Sequence, residues 1–137
     1  MYKASVVIPN YNGEKYIDEC MNALRKQREQ NFEVILVDNA SEDNSIAVFE
    51  AYNDLNIRTI ILDENYGFSR AVNEGIKASE AEYVILLNND THVGKKFVGA
   101  LVDAMDEDDN IFSAQAHMLQ YSDRTITDSA GDYFCAL

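Results

Sequence analysis

The sequence predicts an α/β domain built on a mainly parallel sheet flanked by helices. Three observations point to it. Short apolar runs alternate with longer amphipathic stretches along the chain. The first, second and fourth runs are almost continuously apolar, the pattern of strands covered on both faces. Each run is also separated from the next by enough chain for a helical crossover, the connection that parallel strands require.

The elements follow in order. Residues 4–8 form the first run, which ends at Pro9 because proline cannot donate to a sheet ladder. Residues 14–27 read as a helix, with Ile17, Cys20, Met21 and Leu24 at the i, i+3, i+4, i+7 spacing of one buried face. The second run, residues 32–37, is rich in β-branched side chains and stops at Asp38. A polar turn, Asn39-Ala40-Ser41-Glu42-Asp43, then offers several N-caps for a helix reaching about Tyr52. Residues 57–62 make the third run. Residues 68–78 read as a helix with Ala71, Val72 and Ile76 inward. The fourth run, 83–87, ends at Asn88-Asn89-Asp90; a helix over 95–105 and a weaker strand over 111–120 complete the chain. No repeat or linker interrupts it, so residues 1–137 read as one domain.

Charge narrows the function classes. With 24 acidic and 11 basic residues the formal net charge is −13. Nucleic-acid phosphates and anionic membrane surfaces would repel such a chain, which argues against nucleic acid as a partner. A diphosphate ligand would need a cation to mediate its approach. Cys20 and Cys135 stand in apolar surroundings without metal-ligand spacing, as reduced thiols of a cytoplasmic protein do. No apolar run approaches the roughly 18 residues that span a bilayer, and no signal-peptide pattern opens the chain. The expected location is the cytoplasm, with the inner face of the membrane open to a longer protein carrying this domain.

In an open parallel sheet, ligands bind outside the carboxyl ends of the strands. Three such ends are unusually polar here: Asn10-Tyr11-Asn12-Gly13, Asp38-Asn39 and Asn88-Asn89-Asp90. They lie on one edge of the sheet and can face one crevice, although helix capping accounts for any one of them taken alone. Asp38 can only accept hydrogen bonds as a carboxylate, which suits the N–H edge of a pyrimidine or a ribose hydroxyl. Ser41 and Asp43 can cap the following helix in its place. Asp90 is the single charge in Asn88-Asn89-Asp90-Thr91, surrounded by neutral oxygens. That suits Mg²⁺ or Mn²⁺, whose site would be completed by substrate phosphates.

Other candidates carry less. His92 reads as solvated and His117 as structural. The acidic run from Asp103 to Asp109 lacks the glycine and alternating oxygens of a calcium loop and reads as a solvated helix end. Gly67 precedes a helix whose N–H groups favour an anion, and Arg70 either faces a phosphate or forms a surface ion pair. A dinucleotide G-x-G-x-x-G, a P-loop and a nucleophile elbow are all missing.

Together these segments form a family pattern. Ser5-Val6-Val7-Ile8-Pro9-Asn10-Tyr11-Asn12-Gly13 resembles the opening strand and loop of family 2 glycosyltransferases. Val37-Asp38-Asn39-Ala40-Ser41-Glu42-Asp43-Asn44-Ser45 is similar to their second-strand motif. Asn65-Tyr66-Gly67-Phe68 with Asn73-Glu74-Gly75-Ile76 resembles their third helix region, and Leu86-Leu87-Asn88-Asn89-Asp90-Thr91 stands where they carry a metal-binding D-x-D. Ile126-Thr127-Asp128-Ser129-Ala130-Gly131 resembles a later strand of the branch that includes rhamnosyltransferases.

The resemblance implies a GT-A (Rossmann-like) fold, a nucleoside-diphosphate sugar donor, a divalent metal and inverting transfer to a saccharide or lipid-linked saccharide hydroxyl. Asp38 would bind the pyrimidine, with Pro9, Asn10, Tyr11 and Asn12 lining its pocket. Asn88 would lie near the ribose beside Asn89, Gly67 at the helix edge, and Asp90 on the metal. Asn88 replaces the first Asp of D-x-D, which removes a charge and suits deoxy-sugar donors. Family members continue into an acceptor-binding half that carries the catalytic base; no residue here is assigned that role, and Asp128 and Asp132 come too early for it. The expectation is therefore a donor-binding half, with an exposed C-terminal edge favouring self-association. Two other readings are a Mg²⁺-binding phospho-acceptor signalling domain and a nucleotide-binding module without chemistry.

Overall fold

The computed structural model describes residues 1–130; Gly131, Asp132 and Cys135 lie outside the described residues. The chain forms two compact units, Met1–Gly99 and Ala100–Leu137. The first unit carries β1 (Ala4–Asn10), α1 (Glu14–Arg25), β2 (Phe32–Asp38), α2 (Ser45–Glu50), β3 (Ile57–Ile61), α3 (Phe68–Ala78) and β4 (Tyr83–Leu86). α4 (Phe97–Asp106) follows, and the second unit adds the two short strands β5 (Met118–Leu119) and β6 (Thr127–Ser129).

Four strands pair in the order β3-β2-β1-β4, all parallel, as the crossover lengths require. β1 and β2 are buried along their whole lengths. Their alternate residues face opposite layers. α1 buries Ile17, Cys20, Met21, Ala23 and Leu24. On the opposite side, Val7, Ile35 and Val37 form a cluster with Ala71 of α3, packed by Ile60 and Leu62. A Cβ on Gly75 would fall 2.3 Å from Val7 Cγ1 and 3.1 Å from Val37 Cγ2, so α3 sits as close to the sheet as a missing side chain allows.

Several expectations need correction. β1 does not stop at Pro9: it pairs with β2 as far as Asn10↔Asp38. Leu87 N donates to Val7 O and Asn39 N to Asn10 O, so the missing N–H of Pro9 faces the β4 side, where pairing has ended at Val7↔Leu86. β4 is not covered on both faces. Among the described residues it is an edge strand paired only with β1, and Val84 and Leu86 are exposed. Ile76 is also exposed, because the inward stripe of α3 is Ala71, Val72 and Gly75. The strand expected over 111–120 shrinks to Met118–Leu119, which pairs antiparallel with Thr127–Ser129. Residues 111–117 find no ladder partner among the described residues, and a lone extended segment is not a strand.

Candidate functional site

The polar ends of β1, β2 and β4 come together at the carboxyl edge of the sheet, as their parallel pairing demands. Their joint is the Asn10 side chain, only 2% exposed at the end of the central strand. Its Nδ2 donates to Asp38 Oδ1 at 2.7 Å and to Ser45 Oγ at 2.8 Å, with Ser41 Oγ at 3.2 Å. Its Oδ1 accepts from Asn89 Nδ2 at 2.8 Å. Gly13 lies against this last bond: a Cβ there would come 2.2 Å from Asn10 Oδ1 and 2.3 Å from Asn89 Nδ2.

Asp38 is fully buried. Beyond Asn10, its Oδ1 accepts from Ser41 Oγ at 2.6 Å and its Oδ2 from Ser41 N at 2.8 Å. Ser41 therefore does not release Asp38 from structural duty but is its principal partner, because the turn after β2 folds back onto the strand end. Asp43 stands one residue before the N-cap, Asn44, and satisfies the first amide of α2 from there. Its Oδ1 accepts from Ser45 N at 3.0 Å and from Ser45 Oγ at 2.5 Å, and its Oδ2 accepts from Glu14 N at 2.9 Å. Slight burial works to raise the Asp43 pKa, but the Ser45 hydroxyl and the Glu14 and Ser45 amides hold it below the usual value.

The two loops are laced further. Asn12 N donates to Ser41 Oγ, Glu42 N to Asn12 Oδ1, and Asn44 Nδ2 to Glu14 Oε1. The lacing holds Asn12 and Ala40 at φ of 51° and 58°, the left-handed region; Asn visits it readily and Ala at a cost of about 1–2 kcal/mol. The groove beside this lacing, about 580 Å³, is lined by Asn12, Glu14, Lys15, Asp18, Asp43 and Val48.

Next to Asp38 stands a residue that the sequence placed in a polar strand end without a role of its own. Asn39 is 4% exposed; its Nδ2 donates to Gly67 O at 3.3 Å. Its Oδ1 is buried without a partner, the one such side-chain atom among the described residues. Gly67 itself takes φ 83°, which calls for glycine, and leads into α3. Tyr11 is half exposed on the same edge, with Tyr66 and Phe68 exposed around Gly67. Arg70 pairs with Glu74 at 2.8 Å and lies over the Tyr66 ring, which is the surface ion pair of the two readings.

At the β4 end, Asn88 and Asp90 are exposed, and Asp90 takes part in none of the hydrogen bonds or ion pairs of the described residues. The turn rests on α1, where Cys20 Sγ lies 3.9 Å from Asn88 O. Burial pushes the Cys20 thiol up to about 12, past a hydrogen bond with Thr91 that lowers it. His92 is not isolated: its Nδ1 is 3.0 Å from Glu19 Oε1. His117 is exposed and bonds Thr127 Oγ1 at 2.9 Å. No group of three or more His, Cys, Asp or Glu side chains converges on a metal position among the described residues. A lone unpartnered carboxylate at the strand end fits a cation whose other ligands come from a substrate diphosphate.

Fold and edge together define a parallel α/β domain whose polar strand ends gather on one edge of the sheet, with the exposed Asp90 carboxylate at the β4 end and the unpartnered buried acceptor of Asn39 at the β2 end. The sequence matches the family described as Glycosyl transferase family 2 over residues 5–130. The chain belongs to that family. It is 36% identical over 111 residues to the poly(ribitol-phosphate) beta-N-acetylglucosaminyltransferase TarS of Staphylococcus aureus, covering 78% of this chain and 19% of TarS. The crystal structure of TarS residues 1–349 with UDP-GlcNAc superimposes with a TM-score of 0.73 at 36% identity, over 77% of this chain and 31% of that one. A mannosyltransferase of Pyrobaculum calidifontis in complex with GDP-Man and Mn²⁺ gives a TM-score of 0.62 at 25% identity, over 66% of this chain and 28% of that one. These neighbours establish the GT-A-like fold, and the chain spans a third or less of each of them. Family membership displaces the phospho-acceptor reading. No helix of the described residues is long and apolar enough to cross a membrane.

Proposed function

We infer that this chain binds the nucleoside-diphosphate sugar of a metal-dependent, inverting glycosyltransferase. The observation that carries the reading is a pair of unsatisfied groups on one strand edge: the buried orphan Asn39 Oδ1 and the unpartnered Asp90 carboxylate. A pyrimidine N–H is the donor that would satisfy the first once the loop after β2 shifts to admit it. A cation bridging to the diphosphate fits the second, and this chain of charge −13 has few other means of holding an anion.

Base reading, expected of Asp38, is shared between two residues in this proposal. Asp38 fixes the loop through Asn10 and Ser41, and Asn39 is the group left with an open acceptor. Pro9 and Asn10 shape the pocket from beneath, Tyr11 offers an exposed ring to a base, and Asn12 and Gly67 set the loops on either side. Asn88 lies where it can meet the ribose, and Asn89 turns toward Asn10. A divalent Mg²⁺ or Mn²⁺ on Asp90 would neutralise charge developing on the departing diphosphate. The residues of this edge bind and orient the donor so that its anomeric carbon faces an acceptor hydroxyl. That hydroxyl belongs to a saccharide or lipid-linked saccharide, and no residue of this chain is assigned as its base. The work is cytoplasmic, at the inner membrane face when the acceptor is lipid-linked.

Two donor sugars compete within this reading. Asn88 in place of an acid, with the 126–131 resemblance, supports a deoxy-sugar of the rhamnosyltransferase-like branch; the likeness to TarS with UDP-GlcNAc supports an N-acetylhexosamine. Calorimetric titration of UDP, UDP-GlcNAc, a dTDP-deoxy-sugar and GDP-mannose, with and without Mn²⁺, tests the proposal. Metal-enhanced binding of a pyrimidine donor is expected. Metal-independent binding, or equal affinity for GDP-mannose, would overturn it.

A further inference from the structure

The Asn10 amide has its polarity dictated from one side. Asp38 is a carboxylate and can only accept, so the end of Asn10 that faces it must be Nδ2. Asn10 Oδ1 then points at Asn89 and must accept from Asn89 Nδ2, which in turn sets Asn89 Oδ1 facing away. One charge on β2 thus orients an amide on β1, and through it an amide beside Asp90. Burial keeps water from competing for the first two bonds, since Asn10 and Asp38 are 2% and 0% exposed. Gly13 is the only residue type that fits against the Asn10–Asn89 bond, because any Cβ would enter it.

We propose that Asn10 is a positioning residue that couples the loop after β2 to the Asn89–Asp90 turn, so that base binding and metal binding each strengthen the other. Asn10 touches neither ligand: it is buried, and its amide hydrogens and oxygen already have partners. The inference rests on the nucleotide-and-metal reading of this site. It adds that the two halves communicate through protein as well as through the diphosphate. Linkage makes that communication reciprocal.

The test is a double-mutant cycle read as the ratio of UDP affinity with saturating Mn²⁺ to affinity without it. Asn89→Ala and Asn10→Ala should each lower this ratio about five-fold, the usual worth of one hydrogen bond, and the double variant should lower it no further. Additive losses, or a ratio unchanged in either single variant, would overturn the coupling. Should Asn10→Ala not fold, Gly13→Ala takes its place, since its Cβ splits the same bond. A second measurement needs no ligand: Ser45→Ala should shift the backbone amide resonances of Asn89, Asp90 and Thr91, and should leave them unmoved in an Asn89→Ala background. Identical shifts in both backgrounds would sink the proposal. If wild type binds no UDP, the functional reading fails while this second measurement still decides the link.

Discussion

Asn39→Leu should make the protein more stable and a worse nucleotide binder. Leucine matches asparagine in branching and heavy-atom count and carries no polar atoms, though its two methyls are bulkier than the amide they replace. The substitution removes the buried orphan Oδ1, whose lack of a partner costs roughly 1–3 kcal/mol in the folded state. It also removes the 3.3 Å bond from Nδ2 to Gly67 O, a long one worth about 0.5–1 kcal/mol. Gly67 O keeps Ala71 N at 3.3 Å, so that carbonyl is not stranded. The polar balance alone is a net gain of about 1 kcal/mol; overpacking by the larger methyls offsets part of it, so Tm should rise by no more than roughly 4–8 °C for a unit of this size. Nucleotide binding moves the other way. Losing the acceptor that meets the base should weaken UDP by about 5- to 30-fold, since each 1.4 kcal/mol is ten-fold. Scanning calorimetry and UDP titration of the same sample read both quantities. A variant that is less stable and binds UDP as wild type does would show that Oδ1 is no ligand group.

Four further outcomes follow from other residues. Asp90→Ala should leave stability within about 0.5 kcal/mol, as an exposed residue without partners, and abolish the Mn²⁺ enhancement of UDP binding; equal enhancement in both proteins would refute its metal role. Gly75→Ala should destabilise by about 1–3 kcal/mol in urea unfolding, because overpacking against Val7 outweighs the ~1 kcal/mol gained in helix propensity, and a more stable variant would refute the close approach of α3. For Asp43, whose folded pKa is depressed, the stabilisation is complete above its unfolded pKa of about 3.9 and lost as pH falls through the lower folded value. Asp43→Asn should therefore flatten the acid limb of a stability–pH curve, and an unchanged limb would count against it. Cys20, with its thiol pushed up to about 12 by burial, should resist a disulfide reagent at pH 8 in a Cys135→Ser background until the protein is unfolded; labelling within minutes of the native protein would contradict that burial.

The strands of the main sheet, their direction and the edge on which their polar ends gather were legible in the sequence, because apolar runs between amphipathic stretches admit few arrangements. What escaped was every relation between distant residues. Asp38 looked free because Ser41 and Asp43 could each cap the next helix, whereas Ser41 turns back onto it and Asn10, 28 positions away, closes on it from β1. Asn39 was overshadowed by its charged neighbour, since an orphaned acceptor exists only once the chain has folded around it. Gly13 and Gly75 stood in the sequence as members of longer motifs with no role of their own; only the approach of Asn89 and of Val7 shows what glycine is for there. β4 was taken as doubly covered because an apolar edge strand and an apolar central strand have the same composition. The stretch 111–117 misled for a simpler reason: strand character needs a partner, and local sequence does not say whether one arrives.

The central position of β1 has a consequence for how the site comes into being. β1 is the first strand made, yet one of its two neighbours, β4, is the last strand of the sheet. Its pairing with β2 spans a short loop by comparison, while the contact between Asn10 and Asn89 closes a loop of 79 residues. Closing longer loops carries more entropy and slows the step. On a ribosome, the β1-β2-β3 side with Asp38 and Asn39 can assemble while the Asp90 turn is still unmade. Until β4 arrives, β1 presents a bare edge of unpaired backbone groups, the form in which strands pair with the wrong chain. The interval before β4 docks is then the window in which this sheet is most exposed to misassembly, and the Asn89–Asp90 turn is the last part of its polar edge to form.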